Sequence, residues 1–272
     1  VASTLVSSNH RILNGRRFST LFIDEAAQAL EAACWIAIRK ADRVIFAGDH
    51  CQLPPTIKCI EAARGGLDHT LMEKVVANKP ISVSLLKVQW FYNNQLESAP
   101  EIRQRGILDF DTPMIWIDTS EMECHEEFVG ESFGRINKPE ANLLLQELES
   151  YIQKIGENRV LDEQIDFGLI SPYKAQVQYL RNKIKSNSFF RRFRPLITVN
   201  TVDGFQGQER DVIFISLVRA NESGQIGFLN DLRRMNVAIT RARMKLVILG
   251  NATTLTKHTF YHKLMEYIQK QF

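Results

Sequence analysis

The sequence has no apolar run that approaches the roughly 20 residues needed to cross a bilayer, so no membrane-spanning helix is expected. It has no secretory signal at its start, although Val1 is not a natural first residue and the true N-terminus is expected upstream. Cysteine is scarce: Cys34, Cys51, Cys59 and Cys124 show no paired spacing, which argues against a disulfide framework. Reduced thiols in a cytoplasmic setting are the expectation. His50, Cys51, Cys59 and His69 match no standard zinc spacing and are set aside as ligands. The net charge of +3 is too small to argue for a polyanion partner by itself. There is no internal repeat and no low-complexity stretch.

What is present is ordinary for a packed protein: 272 residues, 44% hydrophobic and 24% charged. The length suits one large or two medium domains. The chain is organised around Leu21-Phe22-Ile23-Asp24-Glu25-Ala26-Ala27-Gln28. Three residues of strand character run into two adjacent carboxylates. A helical stripe follows at Ala27, Leu30, Cys34 and Ile38. A second buried strand is expected at 43–47, stopped by Gly48-Asp49 and followed by the rigid His50-Cys51-Gln52-Leu53-Pro54-Pro55 loop. Strand, helix, strand with polar loops at the same strand ends is the doubly wound pattern.

Further along, strands are expected at 1–8, 83–88, 114–118, 167–170, 197–202, 211–218 and 245–249. The near-continuous apolar run 211–218 suits a central position in a parallel sheet. Helices are expected at 67–76, from Asn137-Pro139 to a stop at Gly156, over the Val177, Leu180, Ile184 stripe, over Leu232 to Ala242, and from about 256 to 269. Residues 121–131 read as an acidic, exposed loop. The fold class is α/β with two doubly wound parallel-sheet domains. The boundary falls at 88–89, and the first domain is only partly present.

Asp24 and Glu25 at a strand's carboxyl end have two readings. They can serve a nucleotide, one holding Mg²⁺ and the other orienting a water, or they can cap the following helix. The rest of the chain favours the first. Ile23-Asp24-Glu25-Ala26-Ala27-Gln28, the run from Gly48 to Pro55, the run from Thr201 to Glu209, and Asn236-Val237-Ala238-Ile239-Thr240-Arg241-Ala242-Arg243 occur in that order. They resemble motifs II, III, V and VI of superfamily 1 helicases. The resemblance is best to the 5′→3′ branch with the nonsense-mediated decay and immunoglobulin mu-binding helicases, and it covers most of the chain.

The resemblance implies two RecA-like domains with ATP and Mg²⁺ between them. Asp24 would hold the metal, Glu25 would orient the attacking water and Gln52 would sense the γ-phosphate. Arg241 would be the arginine finger. Gln28, Asp49, Gly207 and Glu209 would border ATP. Pro54, Ser171, Tyr173, Gln176, Thr201 and Val202 would contact single-stranded DNA or RNA. Tyr173 reads equally as a stacking and as a packing residue. Arg191-Arg192-Phe193-Arg194 reads as a solvated loop patch rather than a strand contact.

Two departures stand out. No GxxxxGK[ST] phosphate loop occurs in the sequence. Leu85-Leu86-Lys87-Val88-Gln89 passes directly to Trp90-Phe91-Tyr92 where the family has an intervening Tyr-Arg-Met and helix, so a segment is expected to be missing between Gln89 and Trp90. By itself this stretch is therefore not expected to turn over ATP. The competing readings are a non-catalytic nucleic-acid or protein-binding module with vestigial ATP motifs, and a metal hydrolase built on Asp24 and Glu25.

Overall fold

The computed structural model describes residues 1–57, 59–79, 107–108, 111–130 and 134–271. The chain divides into two compact units, Val1–Ser98 and Ala99–Phe272. The expected strand at 83–88, the boundary at 88–89 and the break between Gln89 and Trp90 lie outside the described residues.

In the first unit, β1 (Phe18–Ile23) pairs in parallel with β2 (Ala41–Phe46). Between them runs α1 (Glu31–Ile38). A single turn, α2 (Ile60–Ala62), leads through a kink at Gly66 to α3 (Leu71–Asn78). A capping box starts α3: Glu73 N–H donates to Thr70 Oγ1, and Thr70 N–H donates to the Glu73 carboxylate. Ile23, Ala26 and Cys34 form the core, with Leu5 and Met72 packed against it. The expected strand at 1–8 is absent. Residues Val6–Asn9 form a 3₁₀ turn, because Thr4 and Leu5 carbonyls accept the Ser8 N–H and short local bonds take the backbone donors.

Among the described residues of the second unit, five parallel strands lie in the order β3, β9, β8, β6, β7: β3 (Met114–Asp118), β6 (Phe167–Ile170), β7 (Ile197–Asn200), β8 (Arg210–Ser216) and β9 (Ala242–Gly250). β8 is the middle strand, as its apolar run implies. Alternate residues serve opposite faces. Val212 and Phe214 join Leu144, Leu148, Leu180 and Phe167 in one core cluster. Phe167 comes from β6, and the leucines come from α4 (Lys138–Ile155) and α6 (Lys174–Ser186); the short α5 (Glu157–Asp162) follows α4. Ile215 and Leu217 face Met235, Ala238 and Tyr261 instead. Those residues lie on α7 (Leu232–Ile239) and α9 (Thr259–Gln271), with α8 (Ala252–Leu255) between β9 and α9.

Three expectations need correction here. The acidic stretch contains β4 (Glu127–Val129), which pairs antiparallel with β5 (Gly134–Ile136); Glu126 and Glu127 are tied down by Arg135 and Lys138. Ala242 is not on α7 but opens β9, since Thr240 and Arg241 close the helix. β7 ends at Asn200, whose side-chain oxygen takes the Thr201 N–H and turns the chain.

The sheet has a switch point. β7 lies on one side of β6, and β8 on the other. Such a reversal opens a crevice at the strands' carboxyl ends, where open α/β sheets bind ligands.

Candidate functional site

In the first unit, Ile23 is buried and ends β1; Asp24 and Glu25 emerge exposed. Glu25 has φ 50° and ψ 39°, a left-handed conformation that few non-glycine residues adopt. Its N–H donates to Asp24 Oδ1 at 3.0 Å, and its carboxylate accepts from Gln28 Nε2 at 2.8 Å. Neither acid caps a helix: the 3₁₀ turn Ala26–Gln28 has no side-chain cap, and α1 begins after Leu30. The capping alternative therefore does not hold. The two carboxylates have different partners, Asp24 the Glu25 N–H and Glu25 the Gln28 side chain.

The loop after β2 is built against that turn. Ala26 N–H donates to Ala47 C=O and Ala47 N–H donates to Ile23 C=O, both at 2.8 Å, which extends the ladder past the strands. A Cβ on Gly48 would lie 3.0 Å from Ala26 N and 3.1 Å from Ala27 N. Asp49 then organises the loop: Oδ1 accepts Cys51 N–H and Oδ2 accepts Gln52 Nε2, each at 2.9 Å. Gln52 and Pro54 are partly exposed at its tip, while Leu53 is buried. The first unit thus brings Asp24, Glu25, Gln28, Asp49, Gln52 and Pro54 to the carboxyl ends of two neighbouring strands.

In the second unit, Arg241 is only 7% exposed, which rules out a solvated helix-face arginine. Its Nε donates to Val237 C=O at 3.0 Å, one terminal nitrogen to Thr240 Oγ1 at 2.9 Å and the other to Gln208 C=O at 3.4 Å. It therefore sits between the end of α7 and the loop that carries Gly207 and Glu209. Gly207 has φ 69°, which suits a residue without a Cβ, and both Gly207 and Glu209 are exposed.

At the switch point the picture differs residue by residue. Thr201 is partly exposed, and its hydroxyl accepts the Gly204 N–H. Val202 and Tyr173 are buried, Tyr173 with its ring edge-on to Phe228. Ser171 and Gln176 are fully buried. Gln176 Nε2 donates to Asn137 C=O and Ser216 Oγ, and Oε1 accepts Asn137 N–H, all at 2.9 Å. Its amide is occupied inside the protein, and it presents no surface to a strand. Phe193 is likewise fully buried, so the arginine-rich stretch around it offers no free ring; Arg192 pairs with Glu157 and Arg194 donates to Lys185 C=O.

The Gln176 network includes Glu140, which the sequence reading missed. Glu140 is wholly buried; Oε1 accepts Ser216 Oγ and, at 2.8 Å, Val218 N–H. Burial pushes its carboxyl up to about 7, against the pull of those hydrogen bonds. Val218 has φ 71°, a costly conformation for a β-branched residue. The strained segment just after β8 is thus pinned to the start of α4 and α6.

A model described as an AAA domain matches residues 67–253, and a second AAA-domain model matches residues 1–59. The chain belongs to the AAA-domain helicases of superfamily 1, in the branch of the nonsense-mediated decay helicase. It is 32% identical over 280 residues to DNA-binding protein SMUBP-2 of Mesocricetus auratus, covering 94% of this chain and 27% of that protein. It is 35% identical over 295 residues to a regulator of nonsense transcripts 1 homolog of Arabidopsis thaliana, covering 99% and 22%. An uncharacterised ATP-dependent helicase of Methanocaldococcus jannaschii is 33% identical over 285 residues, covering 98% and 41%. The chain thus spans between about a fifth and two fifths of these relatives' lengths.

As a member of this helicase family the chain carries RecA-like α/β folds. Among the described residues no helix is long and apolar enough to cross a membrane. All four cysteines are free.

Proposed function

We propose that this chain supplies the ATP-hydrolysing and strand-holding machinery of a nucleic-acid helicase or translocase. ATP is the fuel, Mg²⁺ the cofactor and single-stranded DNA or RNA the track. The observation that carries the reading is the kinked Asp24-Glu25 turn, held against the Asp49–Gln52 loop at the carboxyl ends of paired parallel strands.

The donor set fits a hard cation: Asp24 is an exposed carboxylate at a strand end, and Mg²⁺ favours such oxygens. Bound there, Mg²⁺ would neutralise charge on the β- and γ-phosphates. Glu25, next in the chain on a left-handed backbone, orients the attacking water and accepts its proton, while Gln28 steadies the carboxylate. Gln52 reads the γ-phosphate and reports through its loop to Pro54 on the strand.

In the second unit, the Gly207 backbone and Glu209 border the nucleotide. Arg241 leaves its helix-end carbonyls to meet the transferring phosphoryl group, an anion that binds guanidinium more strongly than neutral oxygens do. Thr201 contacts the strand, and Tyr173 and Val202 line its floor. Ser171 and Gln176 act from beneath, by fixing the start of α6. The free thiols suit a cytoplasmic setting. Without a phosphate loop among these 272 residues, the stretch alone does not turn over ATP.

The test is an ATPase assay of the full-length protein with single-stranded DNA and with single-stranded RNA, beside Glu25→Gln. Strand-stimulated, Mg²⁺-dependent turnover that Glu25→Gln abolishes supports the reading. Nucleic-acid binding with no turnover in the parent would favour the non-catalytic module.

A further inference from the structure

Phe228 is a large apolar side chain left 58% exposed at the second unit's switch point. It sits on the loop between β8 and α7, just after Gly227. With Pro172 and Val202 it lines a small apolar crevice, of about 10 Å³, over Ile215 and Leu217. Those residues follow β6 and β7 or end β8, so the crevice lies at the carboxyl ends of three adjacent strands. The ring is held: its centroid is 5.8 Å from that of Tyr173, at an interplanar angle of 62°. Tyr173 in turn receives the Arg219 guanidinium at its hydroxyl, and Arg219 is anchored by Glu126 at 2.7 Å. A buried ion pair thus backs the tyrosine, whose hydroxyl stands 3.5 Å from the Arg219 guanidinium, and the tyrosine flanks the exposed ring.

The other side of the same loop is polar. Gly224, Gln225, Asn230, Lys257 and His258 line a cavity of about 350 Å³. Lys257 Nζ reaches the Glu222 carbonyl and stays exposed. An oriented ring left 58% exposed on one flank of the loop, and an exposed lysine on the other, are the two parts of a single-strand contact: a platform for a base and a charge for its phosphate.

We infer that Phe228 is a stacking platform for one nucleobase of the bound single strand, with Lys257 serving the adjoining phosphate. This rests on the strand-binding reading above and adds a residue to it. Tyr173, the aromatic that the sequence singles out, supports the platform rather than touching the base.

The test is equilibrium binding of the full-length protein, without nucleotide, to fluorescein-labelled oligo-dT and oligo-rU, and to an abasic oligomer of the same length. Parent protein is compared with Phe228→Ala, Phe228→Leu and Phe228→Trp. Phe228→Ala and Phe228→Leu should weaken binding to the base-bearing oligomers by roughly 5- to 150-fold, the range for loss of one base–aromatic stack. Phe228→Trp should bind like the parent, with its fluorescence quenched by the oligomer. On the abasic oligomer parent and Phe228→Ala should bind equally, which a merely misfolded loop would not do. Parent-like binding of Phe228→Ala to oligo-dT and oligo-rU overturns the inference alone. Failure of the parent to bind any single strand overturns the strand-binding reading as well.

Discussion

Gly48 runs so close to Ala26 that a Cβ on it would stand 3.0 Å from the Ala26 nitrogen, which is itself bonded to Ala47. The acidic turn after β1 and the polar loop after β2 are therefore one packed object. Gly48→Ala would push backbone against backbone, and Met72 Sδ at 3.3 Å closes the third side. The expected cost is about 1–3 kcal/mol, the usual range for overpacking a rigid site. A thermal melt should show the loss, and the variant should lose ATP turnover with it. A melt unchanged from the parent would mean the two loops are not coupled.

Gln52 donates to the Asp49 carboxylate at 2.9 Å, so it is positioned before any nucleotide arrives. Gln52→Ala should keep the fold, because the residue is only partly buried. Stimulation of ATPase by single-stranded nucleic acid should fall roughly tenfold, within the range of site-to-site couplings. Gln52→Glu should be worse than Gln52→Ala, since it sets a second carboxylate against Asp49. Steady-state ATPase with and without oligomer checks both.

Local signals carried the elements. Asn137 is the N-cap of α4 because its side chain accepts the Glu140 N–H, and that cap, with Pro at the first turn and Gly156 at the end, is written in consecutive residues. The kinked acidic turn was legible as Asp-Glu after a buried strand, though not its left-handed backbone. What the chain order conceals is closure over distance. Gln176 meets Asn137 across 39 positions and Ser216 across 40, and Glu140 meets Ser216 across 76. Read along the chain, Gln176 is a polar residue in a helix's first turn, which suits a strand contact; only the packed fold shows its amide already occupied. The pairing of β4 with β5 is concealed in part for the same reason: Glu126, just before β4, is neutralised by Arg135 on β5 and also by Arg219, 93 positions away.

Glu140 makes stability depend on pH. Its folded carboxyl sits at about 7, above the value of 4.5 for a free side chain, because burial disfavours the charge. The folded state therefore holds a proton that the unfolded state gives up between those two values. Stability is greatest below about pH 4.5 on this account, falls as pH rises toward 7, and levels off above it. The full swing is about 3 kcal/mol at the usual 1.36 kcal/mol per unit. Glu140→Gln keeps an oxygen for Ser216 and Val218 but cannot ionise. Urea unfolding of parent and Glu140→Gln at pH 5 and pH 8 should show the parent losing ground to the variant at the higher pH. Parallel behaviour of the two proteins would mean that Glu140 does not titrate in this window.

Arg241 is the sharpest test of the catalytic proposal, and the substitution must be chosen with its surroundings in mind. Its guanidinium serves Val237 C=O, Thr240 Oγ1 and Gln208 C=O together. Alanine would leave those groups short of donors in a buried place and confuse a folding defect with a chemical one. Lysine keeps a charge and some hydrogen bonding but cannot fork toward a phosphoryl group. Arg241→Lys in the full-length protein should therefore melt close to the parent. Its kcat should fall by roughly 10³-fold or more, as loss of an arginine finger does elsewhere, with the KM for ATP changed only a few-fold. That split marks an interaction made in the transition state rather than on binding. Turnover above about a tenth of the parent value, in a variant that melts normally, would show that Arg241 closes α7 and nothing more.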